Sequence, residues 1–281
     1  MSTTAARPYD DFVAGARADE RILVAIERAD THAIVRLDDP PSLNALSAPL
    51  TLQLHDALRA LAAEPRLRTI VLTGADPAFS AGGDLKLMQG YAHPVAEAAD
   101  EGTPALWRWI RGEFGGIARL ITRTDKTFVA AVNGAAAGVG LAFALACDVI
   151  LVSERARIVP AFGRIGLLPE VGNSWLLTRR LGYQGAYALF ASGRHLSGAE
   201  ALELGLANEL VDHDELLDAA RAWCARIDEL PDHVARMMKP LLRATADLSW
   251  EQAITLEEFA EPGCFTTRAH RDAVQALLSR A

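Results

Sequence analysis

Cysteines, basic clusters, long apolar runs and the common nucleophile motifs are scarce or missing in this chain, and each absence removes a class of function. Only three cysteines occur, Cys147, Cys224 and Cys264. Odd in number and far apart, they make neither a disulfide framework nor the CxxC spacing of a structural zinc site. They read as reduced thiols. Lysine and arginine number 28 against 36 acids, for a net charge of −8, with no basic run. Phosphate-backbone binding calls for clustered cations, so a nucleic-acid partner is not expected. No apolar run approaches membrane-spanning length. The start, "MSTTAARPYDDFVAGARADE", has acids where a secretory signal needs an apolar core. No membrane partner and a cytoplasmic location are the expectation. GxSxG, HExxH and GxxxxGK[ST] are all absent, which removes serine-hydrolase, zincin and P-loop chemistry. The seven histidines are scattered, and no metal site is expected.

What is present is an ordinary globular composition, 51% hydrophobic and 23% charged over 281 residues. That is enough chain for one large domain or two small ones. Residues 1–19 lack periodicity and read as a loose N-terminal arm. "RILVAIERADTHAIVRLDD" gives two alternating apolar runs around Ala29, Asp30 and Thr31, a β-hairpin. "SAPLTLQLHDALRALAAEP" is a helix with Ser47 as its N-cap, followed by the buried strand "RTIVLTG". After a polar segment at 89–104 come the helical "PALWRWIRGEFGGIARLITRT" and the strands "TFVAAVNG" and "DVILVSER". From Gly172 onward the pattern is almost wholly helical. Strands mixed with helices first and helices last describe an α/β core, 20–205, with a helical C-terminal region, 206–281.

Two stretches carry chemical interest, "DPAFSAGGDLKLM" at 76–88 and "NGAAAGVGLAFALACD" at 133–148. Each runs from a buried strand through a turn of small residues to a helix start. Such a turn aims backbone N–H groups at one point near the positive end of a helix dipole, which suits an oxygen carrying negative charge. Tight helix–strand packing explains each turn equally well. "GVGLAF" lacks the third small residue of a dinucleotide fingerprint.

Taken together, "NAL" at 44–46, "FSAGGDLKLM" at 79–88, "VNGAAAGVGLAFALACD" at 132–148, "FGRIGLLPEVGNSWLLTRRLG" at 162–182 and "SGRHLSGAEALELGLANELV" at 192–211 resemble the enoyl-CoA hydratase/isomerase, or crotonase, family. The blocks follow the family's order across residues 20–280. The resemblance implies a crotonase-type spiral of ββα repeats, trimerisation through the C-terminal helices as a homotrimer or dimer of trimers, and acyl-CoA thioesters as substrates. Coenzyme A enters as part of the substrate, and no other cofactor is implied. Carried over by motif position, the two N–H groups that hold the thioester oxygen belong to Gly83 and Val139. Nucleotide contacts fall on Leu43 and Ala45 from one loop and on Ala81, Asp84, Leu85 and Lys86 from the other side.

The resemblance also marks a departure. The two glutamates of the family's hydratases map onto Ala142 and Phe162, neither of which can move a proton. A carboxylate stands instead at Glu170, where the resemblance places the proton carrier of the family's isomerases. Taken locally, Glu170 also suits the start of the helix that follows it. An unperturbed glutamate has a pKa of about 4.3, and apolar neighbours such as Leu167, Leu168, Val171 and Trp175 would raise it. Glu113 reads as a solvated helical charge or an auxiliary acid, and Trp107 and Trp109 as core residues or acyl-site walls. The expectation is an enzyme that shifts a double bond in an enoyl-CoA, with Glu170 as proton shuttle. The alternatives are a hydratase, a ring-opening isomerase of an aromatic-derived epoxy-CoA, and an inactive acyl-CoA-binding protein.

Overall fold

The computed structural model describes residues 9–92 and 102–279. Among these residues ten strands form two sheets. The larger contains β1 (Val24–Arg28), β2 (His32–Leu37), β3 (Thr69–Gly74), β5 (Thr127–Val132), β7 (Val149–Ser153) and β10 (Glu209–Val211), in that order. The smaller contains β4 (Ala78–Ser80), β6 (Ala135–Ala137), β8 (Arg157–Val159) and β9 (Leu196–Ser197). The expected hairpin is β1–β2, with Val24 opposite Leu37 and Arg28 opposite Ala33. From β2 to β10 the large sheet is parallel.

Three successive strand pairs, β3–β4, β5–β6 and β7–β8, each send their first strand to the large sheet and their second to the small one. The helical segments Leu85–Leu87, Gly138–Ala146 and Asn173–Ser192 follow the three pairs. That is a spiral of ββα repeats. Parallel strands covered on both faces read as unbroken apolar runs, and every residue of β3 and β7 is buried. Alternation still divides the faces. Ile70 and Leu72 point into the main core, whereas Val71 joins Ile34, Val129 and Leu151 against the helix Leu216–Asp228.

Ser47 caps the helix Ala48–Ala62 by accepting from the Leu50 N–H. One expectation needs correction. Tyr9–Arg17 is a helix rather than a loose arm, because Tyr9, Phe12, Val13 and Ala16 make a stripe at helical spacing that packs on the core. Phe12 stacks on Tyr91 with centroids 3.7 Å apart and meets Trp109 edge-on. The region after Gly172 also contributes two short strands, β9 and β10, each completing an edge of a sheet. Most of the polar segment at 89–104 lies outside the described residues. No helix among the described residues is long and apolar enough to cross a membrane.

Candidate active site

β4 and β6 run parallel as neighbours, and each ends in one of the two glycine-rich turns. The turns touch. A Cβ on Gly82, whose φ is +85°, would stand 2.6 Å from the Ala137 carbonyl oxygen and 3.5 Å from Gly138 Cα. A Cβ on Gly140 would lie 2.6 Å from Ser80 Cβ, so strand and helix also meet with nothing between them. The glycines are what allow this close packing.

Buried polar groups fix the first turn. The Asn44 side chain donates to the Ala75 and Ala78 carbonyls, both at 2.7 Å, and accepts from the Asp39 N–H at 2.9 Å. Ser80 Oγ donates to the Asn44 carbonyl at 2.8 Å. Leu46 N–H donates to the Gly82 carbonyl at 2.7 Å. Successive donors of the turn are then assigned in order. Ala81 N–H goes to the Leu43 carbonyl at 2.8 Å and Gly82 N–H to Ser80 Oγ at 3.2 Å. The next, Gly83 N–H, has no acceptor among the described residues.

The second turn leaves donors open for a different reason. Val139 is the second residue of the helix Gly138–Ala146, and the first-turn N–H groups of a helix have no intrahelical acceptor. Its N-cap is Ala137, whose methyl group cannot supply one, and Gly138 through Leu141 are all buried. Both expected oxyanion donors thus sit on abutting turns with their N–H groups uncommitted.

Glu170 reaches this place through one side chain. Asn173, fully buried, donates from Nδ2 to the Gly138 carbonyl at 3.0 Å and to the Glu170 carbonyl at 3.2 Å. Its main-chain N–H also donates to the Glu170 carbonyl, at 3.0 Å. Between them, Val171 has φ 55° and Gly172 φ 91°. A β-branched residue in the left-handed region is strained and persists only where its surroundings hold it. The Glu170 carboxyl is half-buried, and burial raises its pKa above the ordinary value. Among the described residues it has no ion-pair or hydrogen-bond partner.

Ala142 is fully buried in the helix after the second turn. Phe162 is buried too, with its ring beside Gly138 and edge-on to Phe190. Both positions are therefore buried and apolar.

On the outer rim, Leu43, Leu85 and Lys86 are exposed, Ala81 is half-buried and Ala45 is buried. Asp84 accepts from the Lys86 N–H at 2.8 Å and starts the short helix Leu85–Leu87. The six residues read as nucleotide contacts are thus gathered around the first turn. Glu113 is not a free or solvated acid: its carboxylate meets His55 Nδ1 at 2.8 Å in a largely buried pair. Trp109 is a core residue against Phe114, while Trp107 is exposed beneath the Arg111 guanidinium. No group of three metal-ligating side chains occurs among the described residues. Asn44, Ser80 and Asn173 were not singled out in the sequence. The signal available was a polar residue set within small and apolar neighbours at each turn.

Comparison with known proteins agrees with this geometry. The family description "Enoyl-CoA hydratase/isomerase" matches residues 27–278. A probable enoyl-CoA hydratase of Mycobacterium tuberculosis is 30% identical over 257 residues, covering 92% of this chain and 95% of that protein. The 1,2-epoxyphenylacetyl-CoA isomerase of Escherichia coli is 28% identical, covering 87% of this chain and 90% of its own length. A solved structure of a putative enoyl-CoA hydratase from Streptomyces coelicolor superposes with a TM-score of 0.84 at 27% identity, covering 100% of this chain and 97% of that one. The spiral of repeats, the paired glycine turns and the match along nearly the whole chain make this protein a crotonase-fold member of the enoyl-CoA hydratase/isomerase family.

Proposed function

We propose that the protein is an enoyl-CoA isomerase in which Gly83 and Val139 N–H groups hold the thioester oxygen and Glu170 carries the proton. The observation that carries this reading is the distribution of carboxylates around the turns. Ala142 and Phe162 are buried and apolar, whereas Glu170 is half-buried with a raised pKa. Hydration requires a group to activate water and another to protonate carbon; a double-bond shift requires one base that becomes the acid.

The Glu170 carboxylate takes a proton from C2 of a 3-enoyl thioester. The electron pair moves into the thioester carbonyl, and the dienolate oxygen is held by the two main-chain donors. Preorganised donors in a dry site stabilise such charge by about 3–4 kcal/mol each. The Glu170 acid then returns the proton to C4, leaving the double bond between C2 and C3. Burial helps twice, since it makes the carboxylate a stronger base and Phe162 keeps water from the dienolate.

The rim of Leu43, Ala45, Ala81, Asp84, Leu85 and Lys86 takes the nucleotide of coenzyme A in this reading. Self-association into a homotrimer or dimer of trimers covers the last two helices, Trp250–Phe265 and Arg268–Leu278, which contain no buried residue and expose Trp250 and Phe259.

The test offers 3-enoyl-CoA and 2-enoyl-CoA substrates separately to wild type and Glu170→Gln. Conversion of the 3-enoyl thioester that is lost in the variant, with little hydration of the 2-enoyl one, is the expected result. Brisk hydration that survives the substitution would overturn the reading.

A further inference from the structure

We propose that Asn173 is a positioning residue that sets the direction and polarity of the Val139 donor and ties it to Glu170. This rests on the oxyanion reading given above. The Gly138 carbonyl and the Val139 N–H belong to one peptide unit, which is planar, so fixing the oxygen fixes the opposite N–H. Asn173 Nδ2 holds that oxygen at 3.0 Å. A hydrogen bond accepted by the carbonyl also polarises the peptide and strengthens its N–H as a donor.

The same nitrogen donates to the Glu170 carbonyl at 3.2 Å, and the Asn173 main-chain N–H adds a second bond to that oxygen at 3.0 Å. One amide therefore joins the element that receives charge to the element that moves the proton. Its orientation is set by its surroundings. Turned over, the amide would press its oxygen against two carbonyls.

Two further observations fit positioning better than simple packing. Asn173 Oδ1 is buried with no partner among the described residues, an arrangement that costs free energy and is not what core packing alone would retain. The clamp also spans Val171, a β-branched residue whose φ of 55° needs an external hold. An alanine at 173 removes both side-chain bonds, and serine, being shorter, cannot span both carbonyls.

The experiment uses the full-length protein, Asn173→Ala and Asn173→Ser, with melting curves to check the fold. The first readout is turnover of 3-enoyl-CoA. A fall in kcat of about 10- to 100-fold with KM within about threefold is expected, since a misaimed donor loses part of what a deleted one loses. The second readout does not depend on which reaction the enzyme performs. An aryl-conjugated 2-enoyl-CoA absorbs at longer wavelength when its carbonyl is polarised, so its spectrum when bound reports the donors directly. Wild type is expected to shift the band, and both variants to shift it less at saturating ligand. An undiminished shift in folded variants overturns the proposal. A wild-type shift without 3-enoyl turnover sinks the isomerase reading and leaves the positioning role to stand or fall on the variants' shift. Absence of a wild-type shift removes the oxyanion reading and this proposal with it. Failure of both variants to fold makes Asn173 a folding residue and likewise overturns the proposal.

Discussion

Alanine at two adjacent glycines should give unequal outcomes, although the sequence "SAGGD" treats them alike. At Gly82 the backbone has φ +85°, and a new Cβ would stand 2.6 Å from the Ala137 carbonyl oxygen. The left-handed conformation costs an L-residue about 1–2 kcal/mol. Overpacking against main chain that cannot turn aside adds about 1–3 kcal/mol. At Gly83 the nearest atom is Met88 Cε at 2.8 Å, the free end of a flexible side chain, and φ is not in the left-handed region. There the cost is under about 1 kcal/mol. For a domain of this size each kcal/mol moves Tm by about 2–4 °C. Gly82→Ala should therefore melt roughly 4–20 °C below wild type, and Gly83→Ala within about 4 °C of it. Parallel melting curves followed by circular dichroism decide the matter. Equal midpoints for the two variants would refute the claim that the turns are pressed together at Gly82.

Burial keeps the proton on Glu170 to a higher pH in the folded protein than in the unfolded chain, where glutamate releases it near pH ~4.3. Stability contributed at this site is therefore complete below that pH and is lost as pH rises through the raised folded value. Glu170→Gln should melt above wild type at neutral pH, with the gap closing towards pH 4; a wild-type advantage at neutral pH would contradict it. Wild-type turnover should rise with pH through a midpoint above the ordinary glutamate range. Lys239 is buried with its ammonium on the Ile121 and Lys126 carbonyls, at 2.5 and 2.7 Å, and 2.8 Å from Asp148. Lys239→Met should cost about 1–3 kcal/mol in a denaturant titration, because it strands two carbonyls while Arg243 still pairs with Asp148, and a neutral effect would show that these bonds are dispensable. Burial raises the Cys147 thiol well above its usual range and pushes Cys224 up to about 12, whereas Cys264 is half-buried. A thiol reagent should thus spare Cys147 and Cys224 in the native protein and label all three cysteines in denaturant, and rapid labelling of Cys147 and Cys224 without denaturant would refute the burial.

Sequence reasoning reached what local pattern controls. The hairpin at Ala29–Thr31, the Ser47 cap and the buried run of β3 follow from alternation, capping chemistry and apolar density. The two turns were visible because glycine is costly elsewhere, and the position of Glu170 because its block carries a family pattern. What stayed hidden was long-range. Nothing near Asn173 in the chain announces that its amide reaches Gly138, 35 residues earlier. The Glu113–His55 pair spans 58 residues and is equally invisible to local periodicity. The N-terminal helix was missed because Phe12 gains its stability from Tyr91 and Trp109, partners supplied only by the fold. The strands β9 and β10, two and three residues long, are too short to show a period.

The division of labour at the two turns bears on which substitutions can change this protein's chemistry. In the proposed reading the charge-receiving half of the site is made of peptide groups, so a side-chain substitution cannot delete it without disturbing the chain trace. The proton-moving half in that reading is one side chain, Glu170, which a single substitution removes while Ala142 and Phe162 stay buried and apolar. In that reading, replacing one side chain would redirect the proton while leaving both N–H donors in place. For a chain 30% identical to a probable enoyl-CoA hydratase, kinship shows the family, and the assay of Glu170→Gln decides the reaction.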